Sequence, residues 1–220
     1  MSKTKAKRYW LALMKELGVD ELIWRPFFVE LEKLYREKHR AYHRLKHIGQ
    51  FLDHLYKFSP SPSVAMRLAV FFHDAVYNPK SKTNEFDSWL MAKSFIAAAC
   101  TAGSKQNEQA ILSAVEMLIM ATASHTEKRI VDSPALSQEE LDLFLDCDLL
   151  ILAAERRAYD RYCRQIRFEY SHISDTDFRA GRGAFLTKFI KEPVLFRTPA
   201  ISSFADRKAR ANMARELLRC

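Results

Sequence analysis

Hydrophobic positions recur along this chain at intervals of three and four, the spacing that lines one face of an α-helix. Tyr9, Trp10, Leu13 and Leu17 make such a face, and Gly18 ends it. Asp20 is placed to cap a second helix, with Pro26 early in it and Phe27, Leu31, Leu34 and Tyr35 turned inward. A third helix is expected from about Tyr42, carrying Ile48, Phe51, Leu52 and Leu55 as far as the turn Ser59-Pro60-Ser61-Pro62. A fourth spans about Ser63 to Val76 and must stop before Pro79. The same period predicts helices over 85–101, 105–124, 138–154, 156–171, 177–191 and 203–218, with Asp177 and Ser203 capping the last two. No segment sustains the period-two alternation of a half-buried strand. Internal repeats and low-complexity linkers are absent. The pattern therefore predicts one all-α domain over residues 1–220, with a core at about 20–175 and C-terminal helices at about 177–218 packed on it. Trp10 and Trp24 are expected either in that core or on a face shared with a second copy, which leaves the oligomeric state open.

Composition narrows the function classes. The 220 residues include only five glycines, where average usage would give about fifteen. Neither G-x-G-x-x-G nor G-x-x-x-x-G-K-[ST] occurs, which disfavours Rossmann and P-loop nucleotide sites. The formal net charge is +8, gathered at Lys3-Thr4-Lys5-Ala6-Lys7-Arg8 and from Arg156 through Arg215. Such a balance attracts anions, although solvated helix faces alone also produce it. The chain lacks an apolar run of the roughly 18 residues needed to span a membrane. The basic N-terminus leads into an amphipathic pattern and not a signal-peptide core. Cys100, Cys147, Cys163 and Cys220 are scattered without a C-x-x-C, so reduced thiols in a cytoplasmic protein are expected.

Polar residues that interrupt apolar stripes carry the chemistry, because a buried polar group must find a partner. His43 and His47 lie four apart on the face that continues into Phe51 and Leu55. His73 follows Met66, Ala69 and Val70, and Asp74 comes directly after it. His125 continues the stripe of Ile111, Val115, Leu118 and Thr122, and Asp148 continues that of Leu141, Phe144 and Leu145. One such histidine is ordinarily a satisfied core residue, and one such aspartate a helix cap. Several of them on four helices are harder to explain separately, because buried carboxylates without cations cost several kcal/mol each. A divalent cation supplies the missing charge. Imidazole nitrogen with carboxylate oxygen and no thiolate suits Mn2+, Fe2+, Mg2+, Co2+, Ni2+ or Zn2+.

In this order, His47, His73-Asp74 and Asp148 resemble the H…HD…D signature of the HD-domain metal-dependent phosphohydrolases. Tyr42-His43-Arg44-Leu45-Lys46-His47 is similar to the Tyr-His-Asn-x-x-His element of cyclic-nucleotide phosphodiesterases, with Arg44 in place of the Asn. A bacterial branch of predicted HD-superfamily hydrolases is nearer still. Its pattern resembles Tyr42-His43-x-x-x-His47-Ile48, Phe72-His73-Asp74-Ala75-Val76-Tyr77, Asn84-Glu85, Ala121-Thr122-x-x-His125 and Phe144-Leu145-Asp146-x-Asp148-Leu149. Arg167-x-Glu169-Tyr170, Gly181-Arg182 and Ala209-Arg210-Ala211-Asn212 complete it, across roughly residues 10 to 218. Ala153 departs from it, where a Gly is expected.

The resemblance implies an HD-like helical bundle that hydrolyses a phosphomonoester, phosphodiester or nucleotide with metal-activated water. It implies one or two ions held by His47, His73, Asp74 and Asp148. Asp74 is then a candidate bridge and His125 a candidate second-ion ligand or phosphate contact. His43 becomes the candidate general acid, with a core histidine or one supporting the ligands as the alternative, and Glu85 a candidate to orient a water or a ligating histidine, with a plain helix-start carboxylate as the favoured alternative. Arg167, Arg182 and Lys46 are candidate substrate-binding cations, with intramolecular pairing to Glu169 or Asp177 as the plainer role for the arginines. Lys80 and Lys82 are placed on a loop that gates the site. Asp146 is expected behind the ligands or exposed, and His39, His54 and His172 on the surface or in packing. The implied partner is a small phosphorylated compound such as a nucleotide, with no membrane. The competing readings are a regulatory module that binds nucleotide or metal without turnover and, less favoured, a basic nucleic-acid-binding protein.

Overall fold

Ten α-helices form where the apolar period predicts them, and no strand occurs among the described residues. They are α1 (Lys5–Leu17), α2 (Glu21–Leu34), α3 (Leu45–Phe58), α4 (Val64–Phe72) and α5 (Asn84–Ala99). After these come α6 (Lys105–Ala121), α7 (Gln138–Leu149), α8 (Arg156–Glu169), α9 (Asp175–Lys191) and α10 (Pro199–Leu217). The computed structural model describes residues 5–100 and 105–220, without the side chains of 105–107. Lys3 and Thr4 of the basic N-terminal run, and position 101 of the expected fifth helix, lie outside the described residues.

Local chemistry sets the helix ends. Gly18 closes α1 with φ 64, a left-handed conformation that glycine adopts without strain. Asp20 caps α2 by accepting the Leu22 N–H, and Ser63 caps α4 by accepting that of Met66. Ser137 and Glu140 form a reciprocal capping box on α7.

Several boundaries differ from the expected ones, among them the end of α7, which gives way to a 3-10 turn after Leu149 where the period carries the helix to 154. Helix α3 begins at Leu45 and not near Tyr42, because the backbone N–H groups of residues 41–43 are bonded to a side chain elsewhere. Helix α4 ends at Phe72, and a tight turn carries His73 and Asp74. Ser174 caps α9, with Asp177 one turn inside it. Helix α10 begins at Pro199, four residues before Ser203, because proline is favoured in a first helical turn.

Helix α4 is the axis of the molecule, with every residue from Ala65 to Phe72 buried. It packs against α3, α5 and α6, while α3 also meets α1 and α7. Helix α1 and α3 approach closely at Gly49, where a Cβ would lie 3.1 Å from that of Lys5. A short 3-10 segment, Leu150–Ala153, links α7 to α8 and carries α10 against it. Trp10 belongs to the core and not to a shared face. It is fully buried, with ring centroids 5.0 Å from Phe71, 5.1 Å from Phe95 and 5.4 Å from Phe28. Trp24 is half-buried against the same core. None of the described helices is long and apolar enough to cross a membrane.

The Trp10 indole N–H is buried without a hydrogen-bond partner. Trp10→Ala is expected to cost about 3–5 kcal/mol of stability through the cavity it opens. Trp10→Phe is expected to cost far less, because it keeps most of the ring volume while likewise removing the unpaired donor. Denaturant titrations of the two variants measure the difference, and equal losses would contradict this account.

Candidate metal centre

The centre is assembled where α3, the turn after α4, the segment after α6 and the end of α7 converge. His47 lies on the buried face of α3, one turn before Phe51. His73 sits at the C-terminal end of α4, and its Nδ1 donates to the Val70 carbonyl at 3.0 Å. That bond commits the Nδ1 proton, so Nε2 is the nitrogen that faces the site. The two Nε2 atoms of His47 and His73 stand 3.3 Å apart. Asp74 Oδ2 is 3.0 Å from His73 Nε2 and 3.7 Å from His47 Nε2. Asp148 Oδ1 is 3.1 Å from His47 Nε2 and 3.7 Å from His73 Nε2. The other Asp148 oxygen, Oδ2, lies 2.9 Å from His125 Nε2. Asp148 thus contacts His47 through one oxygen and His125 through the other.

Charges in this cluster act on each other through a dry interior. Burial opposes ionisation of Asp74, but the imidazoles of His73, His43 and His47 outweigh it and hold the carboxyl well below its usual range. Burial likewise opposes the Asp148 charge, and hydrogen bonds from His125 and His47 outweigh it. Burial works against protonating His73, yet the adjacent Asp74 and Asp148 carboxylates lift it to about 9. Burial drives the Cys147 thiol up, so this neighbour of Asp148 stays protonated and unreactive.

The turn that carries His73 and Asp74 is fixed from behind. Arg40 is fully buried and donates to the carbonyls of Asp74 at 2.6 Å and Ala75 at 2.7 Å. Tyr35 donates to the Phe71 carbonyl at 2.9 Å. Ser88 accepts the Val76 N–H and donates to the Val76 carbonyl. These bonds satisfy backbone groups that the end of α4 would leave open.

His43 stands on the loop before α3 and leans on Tyr77, ring centroids 4.3 Å apart. Its Nδ1 is 2.7 Å from Glu169 Oε2, and Tyr77 donates to the same oxygen at 3.1 Å. Glu169 Oε1 accepts the backbone N–H groups of Ala41, Tyr42 and His43 at 2.7, 2.7 and 3.0 Å. Burial opposes the Glu169 charge, but the His43 bond and these donors lower its pKa to about 2. Burial also opposes protonation of His43, and the charges of Asp74 and Glu169 overcome it and raise the imidazole. The arrangement favours the protonated form of His43 and orients the ring by its Nδ1, so Nε2 is the nitrogen left to donate.

A cavity of about 710 Å3 opens beside the centre, with His43, Asp74, His125 and Asp148 in its wall. A smaller one of about 300 Å3 reaches His47 and Asp148 by way of His54, Lys57 and Phe204. Of the sequence candidates, Arg182 and Glu85 line the larger cavity. Arg182 donates to both Glu216 oxygens, at 2.9 and 3.2 Å, so its charge is matched within the fold. Glu85 is half-buried and bonds to no histidine. Arg167 is turned away from the centre: it donates twice to Asp175, and once each to the Tyr170 and Ile173 carbonyls. Its partner is therefore Asp175, and neither Glu169 nor Asp177. Lys46 is exposed and lines neither of these cavities. Lys82 lines the larger cavity and Lys80 a neighbouring one. Asp146 is buried, and it accepts the N–H groups of Arg197 and Thr198, at 3.1 and 2.6 Å, at the start of α10. His39 bonds the Tyr77 carbonyl, His54 is half-buried and His172 is exposed.

Glu169, Tyr77 and Arg40 act in the site without having been singled out by sequence. Glu169 did carry a signal, since it shares the apolar face of α8 with Tyr162 and Ile166. Arg40 carried none, because it lies on a non-helical stretch. Comparison with known proteins adds nothing: no family model, curated protein or solved structure matches the chain.

Glu169 makes acid stability a test of this geometry. Its pKa falls from 4.5 to about 2 on folding, so it contributes stability that is present above about 4.5 and lost as pH falls towards 2. A shift of that size corresponds to about 3 kcal/mol. Glu169→Gln should be less stable than the parent by an amount of that order at pH 7, and the gap should close between about pH 4.5 and 2. Chemical denaturation across that range is the measurement, and a gap independent of pH would refute the assignment.

Proposed function

We propose that this chain is a metal-dependent phosphohydrolase of the HD-domain type, acting on a small phosphate ester. One observation carries the reading: ligand atoms of His47, His73 and Asp74 all lie within 4.8 Å of one another, with Asp148 Oδ1 3.1 Å from His47 Nε2. Ligands about 2.1 Å from a shared ion stand about 3.0 Å apart at right angles and about 3.4 Å apart in a tetrahedron. The contacts of 3.0, 3.1 and 3.3 Å within this set fit that spacing. Nitrogen and carboxylate donors without thiolate suit Mn2+, Fe2+, Co2+, Ni2+ or Zn2+, with Mg2+ the least satisfied by imidazole. His47, His73, Asp74 and Asp148 would hold the ion, with His125 beside the free oxygen of Asp148. A divalent cation there would acidify a bound water and polarise a phosphoryl oxygen.

The chain's own groups supply the remainder. His73 is held in one tautomer by the Val70 carbonyl, so its ligand nitrogen needs no rearrangement. His43, oriented by Glu169, is the proton donor for the departing oxygen. Arg40 holds the successive carbonyls of Asp74 and Ala75 and so fixes the backbone from which the Asp74 side chain starts. In the hydrolysis, a water oxygen bonds to phosphorus and gives up one proton to solvent, from which His43 is later reprotonated, and the bond from phosphorus to the alcohol oxygen breaks. That oxygen keeps the electron pair and takes a proton from His43.

Elemental analysis of purified protein should find close to one divalent ion per chain or more. Asp74→Ala should lose both the ion and hydrolysis of phosphate esters. His43→Gln should keep the ion and lose about 100-fold or more in rate on alkyl phosphates, and less on esters with good leaving groups. Full activity in metal-free protein would refute the mechanism, and loss of the ion in His43→Gln would make His43 a ligand instead.

A further inference from the structure

Helix α6 ends at Ala121, and the segment after it brings His125 to the centre with no helix or strand to hold it. Its internal bonds are local. Thr122 donates to the Ile119 carbonyl from its N–H and from its hydroxyl. The N–H groups of Ser124 and Glu127 donate to the carbonyls of Ala121 and Ser124, both at 3.3 Å. Among the described residues, only His125 and Glu127 hydrogen-bond from this segment to α7 or to anything after it. The His125 imidazole does so through Nε2, 2.9 Å from Asp148 Oδ2. The other bonds come from Arg197, whose Nη2 donates to the carbonyls of His125 at 3.1 Å and Glu127 at 2.9 Å.

Arg197 stands just ahead of α10 and is fastened to the helix that carries Asp148. Its N–H donates to Asp146 Oδ1 at 3.1 Å, and its Nη1 lies 3.7 Å from Asp142 Oδ1. Asp142 and Asp146 are one turn apart on α7, and Asp148 comes two residues later. The segment is thus attached to α7 at two places, by the imidazole on Asp148 and by its carbonyls through Arg197. The Arg197 side chain is only 20% exposed. Its Nη2 has one N–H for each carbonyl, and the planar guanidinium presents both without rearrangement. Arg197 lines neither cavity at the centre, so it acts through the residues it holds. The carboxylate that meets His125 at one oxygen has its other oxygen 3.1 Å from His47 Nε2.

We propose that Arg197 is a positioning residue for His125. It fixes the backbone of that segment against α7, so that the imidazole meets the outer oxygen of Asp148 and the carboxylate keeps the tilt that aims its inner oxygen at His47. The place of the ring belongs to the metal-free chain, and only the effect on a bound ion rests on the phosphohydrolase reading.

Imidazole NMR of the full chain, labelled with 15N in its seven histidines and stripped of metal, reads the ring directly. His125→Gln identifies the His125 signals by their loss. Arg197→Met removes the guanidinium donors and keeps the backbone N–H that Asp146 accepts. In that variant the His125 Nε2 signal should move, and by several times more than any signal of His39, His54 or His172. Arg197→Lys retains a charge beside Asp142 and a donor for the carbonyls, so it should move the signal in the same direction by a smaller amount. Titrated with Mn2+, Arg197→Met should bind the ion about tenfold more weakly than the parent, with Arg197→Lys between them. Unmoved His125 signals in Arg197→Met overturn the proposal. So does a shift spread evenly over all the histidines, which would mark a general loosening of the fold. Should Arg197→Met not fold, Arg197→Lys decides alone: a shift concentrated at His125 supports the proposal, and an unmoved or evenly shifted spectrum overturns it. If the parent binds no divalent ion, the imidazole result still decides the role of Arg197, and the phosphohydrolase reading alone is lost.

Discussion

A buried carboxylate must be surrounded by donors, and Glu169 imposes that requirement on three parts of the chain at once. Its side chain is fully shielded from solvent, where an unmatched charge would cost several kcal/mol. The donors it collects are three successive N–H groups of the loop before α3, the His43 imidazole and the Tyr77 hydroxyl. The loop therefore has no freedom to continue α3 backwards. It is shaped by a residue more than a hundred positions away, on α8. Arg40 applies the complementary rule within the same loop. Its buried guanidinium needs acceptors and finds the carbonyls that follow α4. One irregular segment thus ties α8, the end of α4 and the start of α3 into a single frame.

The site gains its order from this frame. Helix α4 is too buried to shift, and its last turn is fixed by Tyr35, Arg40 and Ser88, so His73 and Asp74 project from a rigid support. Helix α3 brings His47 from one side and α7 brings Asp148 from another. Two carboxylates and three imidazoles then face each other at near-contact distances. The carboxylates are held ionised, and His73 is held protonated by them, so the centre already balances charge in the way that a cation would complete.

Much of this was legible in the amino-acid sequence, for reasons that can be stated. Helical period is local, so all ten helices follow from it, while of the three caps named from sequence only Asp20 holds its place. His47, His73, Asp74, His125 and Asp148 were visible as polar breaks in apolar stripes, and those five side chains do meet. Glu169 was open to the same reasoning and was overlooked because Arg167 beside it offered an obvious partner. Arg40 was beyond such reasoning, since a loop has no period to break. The fate of the arginines was also hidden. Whether Arg167 finds Asp175, or Arg182 finds Glu216, depends on how α8, α9 and α10 pack, and these choices are made by tertiary contacts.

Asp146 sets a limit on how this chain can be shortened. Two residues before Asp148 on α7, it is buried with the first N–H groups of the C-terminal helix as its donors. Cutting the chain ahead of Arg197 would strand an anion inside the protein within one turn of the carboxylate that spans the centre. The last two dozen residues, remote from the centre in sequence and contributing no side chain to it, are therefore part of its foundation. A fragment ending at α9 would be a different electrostatic object and not merely a smaller one.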